Sequence, residues 1–256
     1  MVSIITKRKR TIDVDNQYDF TSLADLSFAN RKTVFAILSL LKTRDEKGKY
    51  PKVSINTQYL QRLSDNKSVS KRNFINELEV LVKELSTKFI KITQENGQID
   101  FIPVFMKISI NPSRTYTELW INPMFIKFFI NLKSNYFWFL LEDTNKIKSS
   151  MALKLFIKLS QFKYIGKVSL SVKNTKELLG LSSDLDSRYV TRKLKYSANK
   201  LKPYFKGIKV KSVSVYGSSG NKLSSYTITF AKQRFNKNSK SKPTKDIKVT
   251  DEQLPF

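Results

Sequence analysis

Residues 167–200 have the sequence KVSLSVKNTKELLGLSSDLDSRYVTRKLKYSANK, and this stretch decides the fold that we predict. Lys167–Leu170 alternates in polarity as a strand does, and the helix that follows it ends near Gly180. A polar turn at 182–186 then precedes a longer helix that begins at Ser187. Strand, helix, turn and helix in this order are typical of a winged helix-turn-helix.

The segments on either side complete the same pattern. Upstream, Leu155 and Leu159 lie at helical spacing. Downstream, alternating residues at 208–216 and 222–230 predict the two strands of a wing. The first half of the chain repeats this order, with a helix at 30–42, a strand at 52–55, a helix capped by Asn56, a helix at 70–86 and a hairpin at 89–102.

We therefore predict an α+β protein with two tandem winged helix-turn-helix domains and a disordered basic C-terminal tail. At 256 residues the chain is long enough for two such domains. The aromatic run Tyr136–Phe139 has no interleaved charge, which favours a buried strand over a surface for stacking bases. The predicted divisions are a flexible N-terminal arm at 1–19, an N-terminal winged-helix domain at 20–133, a C-terminal winged-helix domain at 134–231 and a basic tail at 232–256.

The charge of the chain points to a polyanionic partner. Lys and Arg number 47 against 21 Asp and Glu, which gives a net charge of +26 and a pI near 10.0. Residues 144–256 carry 25 basic and 6 acidic side chains (+19), and residues 1–143 carry 22 and 15 (+7). Such a charge on a chain with 40% hydrophobic residues predicts nucleic-acid binding, chiefly by the second half. A basic solvated surface without a ligand is the alternative.

The absence of His and Cys excludes several kinds of catalytic site. Thiolate and imidazole metal sites, Ser-His-Asp triads and Cys-His pairs all need these residues, and so do rolling-circle initiators with a His-metal-Tyr centre. A nuclease or primase that uses only carboxylates stays open as an alternative. However, Asp184 and Asp186 resemble turn and cap residues rather than a catalytic cluster. We predict a protein that is not an enzyme and has no catalytic residue, no metal and no cofactor.

The sequence offers no segment suited to a membrane. The most apolar region, 119–141, is interrupted by Pro123 and Lys127. The basic residues at 7–10 are not followed by the apolar stretch of a secretory signal. We expect a protein of the prokaryotic cytoplasm with no membrane partner.

The helix predicted from Ser187 carries the candidate DNA-binding face. Its inward positions, such as Val190 and Leu194, are apolar, and the opposite face is basic and polar. Residues 187–206 include seven basic side chains and no acidic one. Arg and Asn make paired hydrogen bonds with guanine and adenine edges, whereas a merely solvated basic face is the alternative. The residues that we assign to DNA binding on this helix are Arg188, Arg192, Lys195, Tyr196 and Asn199.

The matching helix of the first half has a mixed surface. Between residues 71 and 85 three basic side chains are balanced by three acidic ones, so that only the first turn suits DNA. Contact of this helix with a protein is an equal alternative. In the second wing Lys222 is a candidate phosphate contact, for which a hairpin without a ligand is the alternative. The candidate DNA-binding residues of the first half are Ser70, Lys71, Arg72, Asn73 and Asn76.

The sequence IKSSMALKLF at 147–156 resembles the replication initiators of iteron-containing, theta-replicating plasmids. The similarity continues through ELLGL at 177–181, through 189–201 and through the hairpin that ends at Phe230. It is traceable from about Asn30 onward.

The resemblance implies a function that composition and periodicity alone do not predict. It implies an initiator that binds repeated origin sites, the iterons, in duplex DNA and nucleates origin opening and helicase recruitment. It also implies contact with the host initiator and helicase, and homodimers that repress their own promoter. A winged-helix transcriptional repressor of plasmid or phage origin, bound to an inverted repeat, is the alternative.

Overall fold

The computed structural model describes residues 10–15, 21–40, 52–66, 70–86, 89–93, 98–126, 136–217, 220–233 and 248–250. These residues form two compact units. The first unit takes the described residues of Met1–Ser22, Leu26–Asn145 and Lys240–Phe256, and the second takes those of Leu23–Asp25 and Lys146–Ser239.

The first unit combines helices with short antiparallel strands. Its elements in chain order are β1 (Thr11–Asp15), α1 (Phe28–Leu38), β2 (Lys52–Asn56), α2 (Thr57–Leu63), α3 (Lys71–Ser86), β3 (Phe89–Thr93), β4 (Ile99–Pro103), β5 (Phe105–Ile110), β6 (Tyr116–Ile121), α4 (Pro123–Ile126), β7 (Tyr136–Leu140) and α5 (Leu141–Lys146).

Two helices of the first unit begin at side-chain caps that the sequence supplies. The Ser27 hydroxyl accepts the backbone N–H of Asn30 at 3.3 Å and starts α1. The Asn56 side chain accepts the N–H of Tyr59 at 3.1 Å and starts α2, which confirms the predicted cap. Each cap satisfies a backbone donor that the helix itself leaves unpaired.

The sheet of the first unit differs from the predicted wing. β2 pairs with β6 and β6 pairs with β5, whereas β3 and β4 pair only with each other among the described strands. The hairpin that extends the sheet on one side of β2 is therefore the second after α3 and not the first. Alternation along the chain predicts strands but does not select their partners, because each hairpin alternates equally well.

The second unit has the winged helix-turn-helix order that the sequence predicts. Its elements are α6 (Ser150–Gln161), β8 (Lys167–Ser171), α7 (Val172–Leu179), α8 (Ser187–Lys200), β9 (Lys209–Gly217) and β10 (Gly220–Thr229). Its sheet is antiparallel with the strand order β8-β10-β9, and three helices precede the β9–β10 wing.

The core of the second unit follows from the two periodicities in its sequence. Leu155 and Leu159 of α6 and Leu194 of α8 are fully buried at helical spacing, and Tyr226 and Ile228 of β10 are buried at strand spacing. The sequence therefore indicated correctly which faces of α6 and α8 lie inside. The rings of the core residues Phe205 and Phe230 meet edge to face, with centroids 4.9 Å apart.

A short segment from far upstream completes the second unit. Leu23–Asp25 lies within a 3-10 helix at Thr21–Asp25. The Ser150 hydroxyl donates to the carbonyl oxygen of Ala24 at 2.8 Å, and the buried Lys154 ammonium lies 2.7 Å from an Asp25 carboxylate oxygen. The ion pair joins residues 129 positions apart in sequence, a contact that no local pattern predicts.

Three of the predicted divisions differ from the structure. Residues 136–145, predicted in the C-terminal domain, belong to the first unit because β7 pairs along its whole length with β1. Part of the predicted flexible arm, Thr11–Asp15, is therefore an ordered strand that buries Ile12 and Val14. The predicted burial of the aromatic run is confirmed for Phe137 and Phe139.

The third difference concerns the predicted disordered tail. Lys248–Thr250 forms a short strand, β11, that pairs with Lys52–Ser54 of β2. The chain is also held as far as Gln233, whose backbone N–H donates to the carbonyl oxygen of Lys163 at 2.9 Å. The rest of the predicted tail, 234–247 and 251–256, lies outside the described residues, as do 1–9 and 16–20 of the predicted arm.

Within the described ranges no helix is both long enough and apolar enough to cross a membrane.

Candidate nucleic-acid interface

Helix α8 has one buried face and one exposed face. Val190, Leu194, Ser197 and Ala198 point into the second unit and are buried. The structure brings the five predicted residues of this helix together at exposed positions. These residues are Arg188, Arg192, Lys195, Tyr196 and Asn199.

Two side chains hold the first turn of α8 in place, a cap before the helix and a tyrosine of the sheet. The Asp186 carboxylate caps the helix by accepting the backbone N–H of Arg188 at 2.6 Å. The hydroxyl of the fully buried Tyr226 in β10 lies 2.9 Å from Thr191 Oγ1 and 3.2 Å from the carbonyl oxygen of Ser187. Because these part-buried hydrogen bonds hold its first turn to the wing sheet, the helix has a defined orientation relative to that sheet. Sequence reasoning missed Tyr226, although its inward position in β10 follows from the alternation with Ile228.

Three cations of α8 lie over aromatic rings. The Arg192 guanidinium and the Lys193 ammonium each lie 5.1 Å from the centroid of the Tyr189 ring. The Lys200 ammonium lies 4.9 Å from the centroid of the Tyr196 ring. Such contacts stabilise an exposed cation by only about 0.5–1 kcal/mol, so the charge stays available to a phosphate or a base. The spacings of three and four residues that bring these pairs together were a signal in the sequence.

The two carboxylates of the turn before α8 make hydrogen bonds within the turn and at the start of the helix. The Ser182 hydroxyl hydrogen-bonds the Asp184 carboxylate, and this bond is the main cause that lowers the pKa of Asp184 below its ordinary value. The Lys176 ammonium donates to the carbonyl oxygen of Ser183 at 2.6 Å and ties the turn to α7. Asp184 and Asp186 are thus turn and cap residues, as predicted. Among the described residues no group of three or more acidic side chains is placed to hold a metal ion.

The first turn of α3 shows the predicted polar residues in part. The Ser70 hydroxyl accepts the backbone N–H of Asn73 at 3.2 Å, so Ser70 acts as a cap. The side chains of Arg72, Asn73 and Asn76 are exposed, and that of Lys71 lies outside the described residues.

Two of the acidic residues on α3 have structural roles. Glu84 accepts the backbone N–H of Ser27 at 3.1 Å and also accepts the side-chain amide of Asn30, so it stabilises the start of α1. Burial raises the pKa of Glu77, while the nearby Lys32 ammonium opposes that rise. Glu77 also accepts the side-chain amide of Asn66 at 3.4 Å, so both carboxylates take part in contacts within the first unit.

The predicted phosphate contact on the wing, Lys222, lies in β10 opposite Val215 of β9. Its side chain lies outside the described residues, as do Ser218 and Ser219 at the hairpin turn.

A helix-turn-helix whose second helix exposes a basic, acid-free face beside a β-wing defines the class: a winged-helix protein of the kind that binds nucleic acid. Residues 13–160 match the family model "Initiator Replication protein, WH1". The match covers more than half of the chain, and the protein belongs to this family of replication initiators. The family resemblance drawn from residues 147–230 is confirmed.

A solved structure shows the same fold. The chain is similar to the protein in "Crystal structure of Pi initiator protein in complex with iteron DNA", with a TM-score of 0.64 and 15% sequence identity over 88% of this chain and 99% of that chain. At this identity the similarity establishes the fold. A search among curated protein sequences found no match.

Proposed function

We propose that this initiator binds iterons, the repeated sites of a plasmid origin, in duplex DNA and thereby nucleates origin opening and helicase recruitment. The observation that carries the proposal is the exposed face of α8, which is basic and free of acidic residues while the opposite face is buried. The similar Pi initiator was solved with iteron DNA, which supports the same ligand class for this chain.

In this proposal α8 lies in the major groove of the DNA. Arg188, Arg192, Lys195 and Asn199 follow one another at intervals of four, three and four residues, so they form one stripe. At 1.5 Å per residue the stripe is about 16 Å long, which spans about five base pairs. Arg192 and Asn199 suit bidentate contacts with guanine and adenine, and the lysine suits phosphate. Tyr196 offers an apolar surface to a thymine methyl group.

We further propose that both units are winged-helix domains and that both contact DNA. The helices of the first unit occur in the same order as those of the second, and the first turn of α3 presents Arg72, Asn73 and Asn76 to solvent. The first unit then adds base or phosphate contacts, whereas the more basic second unit provides most of the affinity.

The remaining parts of the proposal follow from family membership. The protein acts without catalysis, in the cytoplasm, by recruiting the host initiator and the helicase to the origin. It also forms a homodimer that binds its own promoter. No cofactor takes part.

Footprinting with the full-length chain on the DNA that flanks its gene tests the proposal. We expect protection of several short direct repeats, and we expect the variant with Arg188, Arg192 and Lys195 all changed to Gln to lose it. A variant with Lys146, Lys167 and Lys173 changed to Gln is the matched control, because it removes the same charge from exposed positions of the second unit outside α8. Protection of one inverted repeat alone would instead indicate a transcriptional repressor.

A further inference from the structure

The tip of the β9–β10 wing exposes large apolar side chains. Val215 is 59% exposed and Tyr216 is 83% exposed. Ser214, Val215 and Tyr216 are all exposed, although successive residues of a strand point to opposite faces. Neither face of the strand is covered there, so this part of the hairpin extends beyond the packed body of the unit. At about 3.4 Å per residue, the three residues span about 10 Å.

The direction of the tip is set by an irregularity in the sheet. The pairing of β9 with β10 shifts register between Leu223 and Ser225, and the Ser224 hydroxyl donates to the carbonyl oxygen of Val213 at 3.0 Å. A bulge of this kind bends a strand and increases its twist. It lies beside Val213, a half-buried residue of β9, so the bend comes directly before the exposed residues Ser214, Val215 and Tyr216.

The strand that leads to the tip is hydrogen-bonded to α8. The buried Tyr226, which joins β10 to the first turn of α8, lies two residues after the bulge. Lys209 and Lys211, exposed on the same strand, give the approach to the tip a positive charge. A polyanionic surface next to the groove that α8 occupies is therefore the partner that this apolar tip fits.

We infer that Tyr216 is an apolar wedge that enters the minor groove of duplex DNA and partly unstacks one base step, with Val215 packed against the sugar edge. The inference rests on the proposed binding of DNA by α8 and assigns to the wing a task that α8 does not perform. The minor groove is about 7.5 Å deep, which an extension of about 10 Å can reach. Inserted apolar side chains bend DNA by about 20–90° and weaken stacking at the step that they enter, which favours strand separation.

The test uses the full-length chain and a 40-bp duplex selected from a random library for binding to it. The selected duplex carries 2-aminopurine near the predicted wing contact and a donor and acceptor dye at its ends. The wild-type chain is expected to raise 2-aminopurine fluorescence and to shorten the end-to-end distance. Tyr216→Ala is expected to abolish the fluorescence rise, to reduce the bend by at least about 20° and to weaken binding about tenfold. Tyr216→Phe is expected to keep all three effects, because the ring acts and not the hydroxyl.

Ile165→Ala is the matched control and should leave all three effects unchanged, because Ile165 is an apolar side chain of the second unit that is 59% exposed, as Val215 is, but lies outside α8 and the wing. Equal bending and fluorescence with wild type and Tyr216→Ala would overturn the wedge and leave the proposed binding function intact. Failure of the wild-type chain to select any duplex would overturn both. A change in the sedimentation of the free protein on Tyr216→Ala, without any effect on the DNA, would assign the tip to a second copy of the chain and would overturn the wedge as well.

Discussion

At the residue scale, Arg192 shows how the chain keeps a cation ready for a ligand. Its guanidinium rests near the Tyr189 ring, and the stretch 187–206 offers it no carboxylate. A surface salt bridge would have to be broken before the side chain could bind DNA. The contact with the ring orients the guanidinium but is weak, so little free energy is lost when the side chain leaves the ring. The proposed role of Arg192 is therefore compatible with its surroundings in the free protein.

We expect Arg192→Ala to weaken binding to the preferred DNA site by about 1–3 kcal/mol, as for the loss of one bidentate base contact. Binding to unrelated DNA should change much less. Fluorescence anisotropy with both duplexes measures the two effects. Lys167→Ala removes one positive charge from an exposed position on β8 and serves as the control. An equal loss on both DNAs would make Arg192 a phosphate contact instead.

The ion pair between Lys154 and Asp25 gives a second prediction. Asp25→Ala leaves a buried ammonium without its carboxylate, and we expect the free energy of unfolding to fall by about 2 kcal/mol. Lys154→Met removes the charge and keeps the volume, so it should cost clearly less. Urea denaturation followed by circular dichroism compares the two variants. A greater loss with Lys154→Met than with Asp25→Ala would show that the pair does not stabilise the fold in this way.

At the scale of the elements, two turns that lead into strands contain a glycine with a positive φ. Gly166 has a φ of +75° at the turn before β8, and Gly207 has a φ of +71° at the turn before β9. Side chains are disfavoured in this region of φ for steric reasons, so both turns depend on glycine. The two positions differ in their surroundings: a Cβ at Gly166 would lie 2.7 Å from the carbonyl oxygen of Phe230, whereas a Cβ at Gly207 would meet nothing within 4 Å.

Alanine substitutions at these two glycines distinguish the free-energy cost of a positive φ from the free-energy cost of a steric contact. We expect Gly207→Ala to lower the free energy of unfolding by about 1 kcal/mol, which is the conformational cost alone. Gly166→Ala should cost at least about twice as much, because the backbone of Phe230 must also shift. Thermal unfolding of both variants provides the measurement. Equal losses would show that the turn at Gly166 relaxes freely.

The elements also show where prediction from sequence succeeds and where it stops. The two faces of α8, the caps at Asn56 and Asp186 and the buried aromatic strand all follow from residues close in sequence, and the structure agrees. The pairing of β2 with β6 and of β1 with β7 does not, because several strands alternate equally well and only the complete core selects the partners. For the same reason, the predicted boundary between the domains was placed too early in the chain.

At the scale of the whole molecule, charge is unequally divided along the sequence. The half from residue 144 onward carries +19 of the total +26, and it contains α8 and the wing. Neutralising phosphates releases condensed counterions, so binding that depends on this charge must weaken as salt rises.

We expect the logarithm of the binding constant to fall with the logarithm of salt concentration at a slope of about −7 between about 50 and 200 mM salt, which corresponds to about eight neutralised phosphates. Titrations of the full-length chain with a labelled duplex measure the slope. Removing one phosphate contact, for example by Lys195→Ala, should make the slope less negative by about 1. A slope near zero would contradict a DNA-binding role for the basic surface.

The hydroxyl of Tyr226 supports α8 from the side of the core, opposite the exposed basic face. Tyr226→Phe keeps the ring in the core and removes only the bonds to Thr191 and Ser187, so the starting turn of the helix gains freedom to tilt. If α8 reads bases as proposed, the sequence preference is consequently open to adjustment through atoms remote from every nucleotide, and closely related chains with the same five exposed side chains on this helix need not select the same origin.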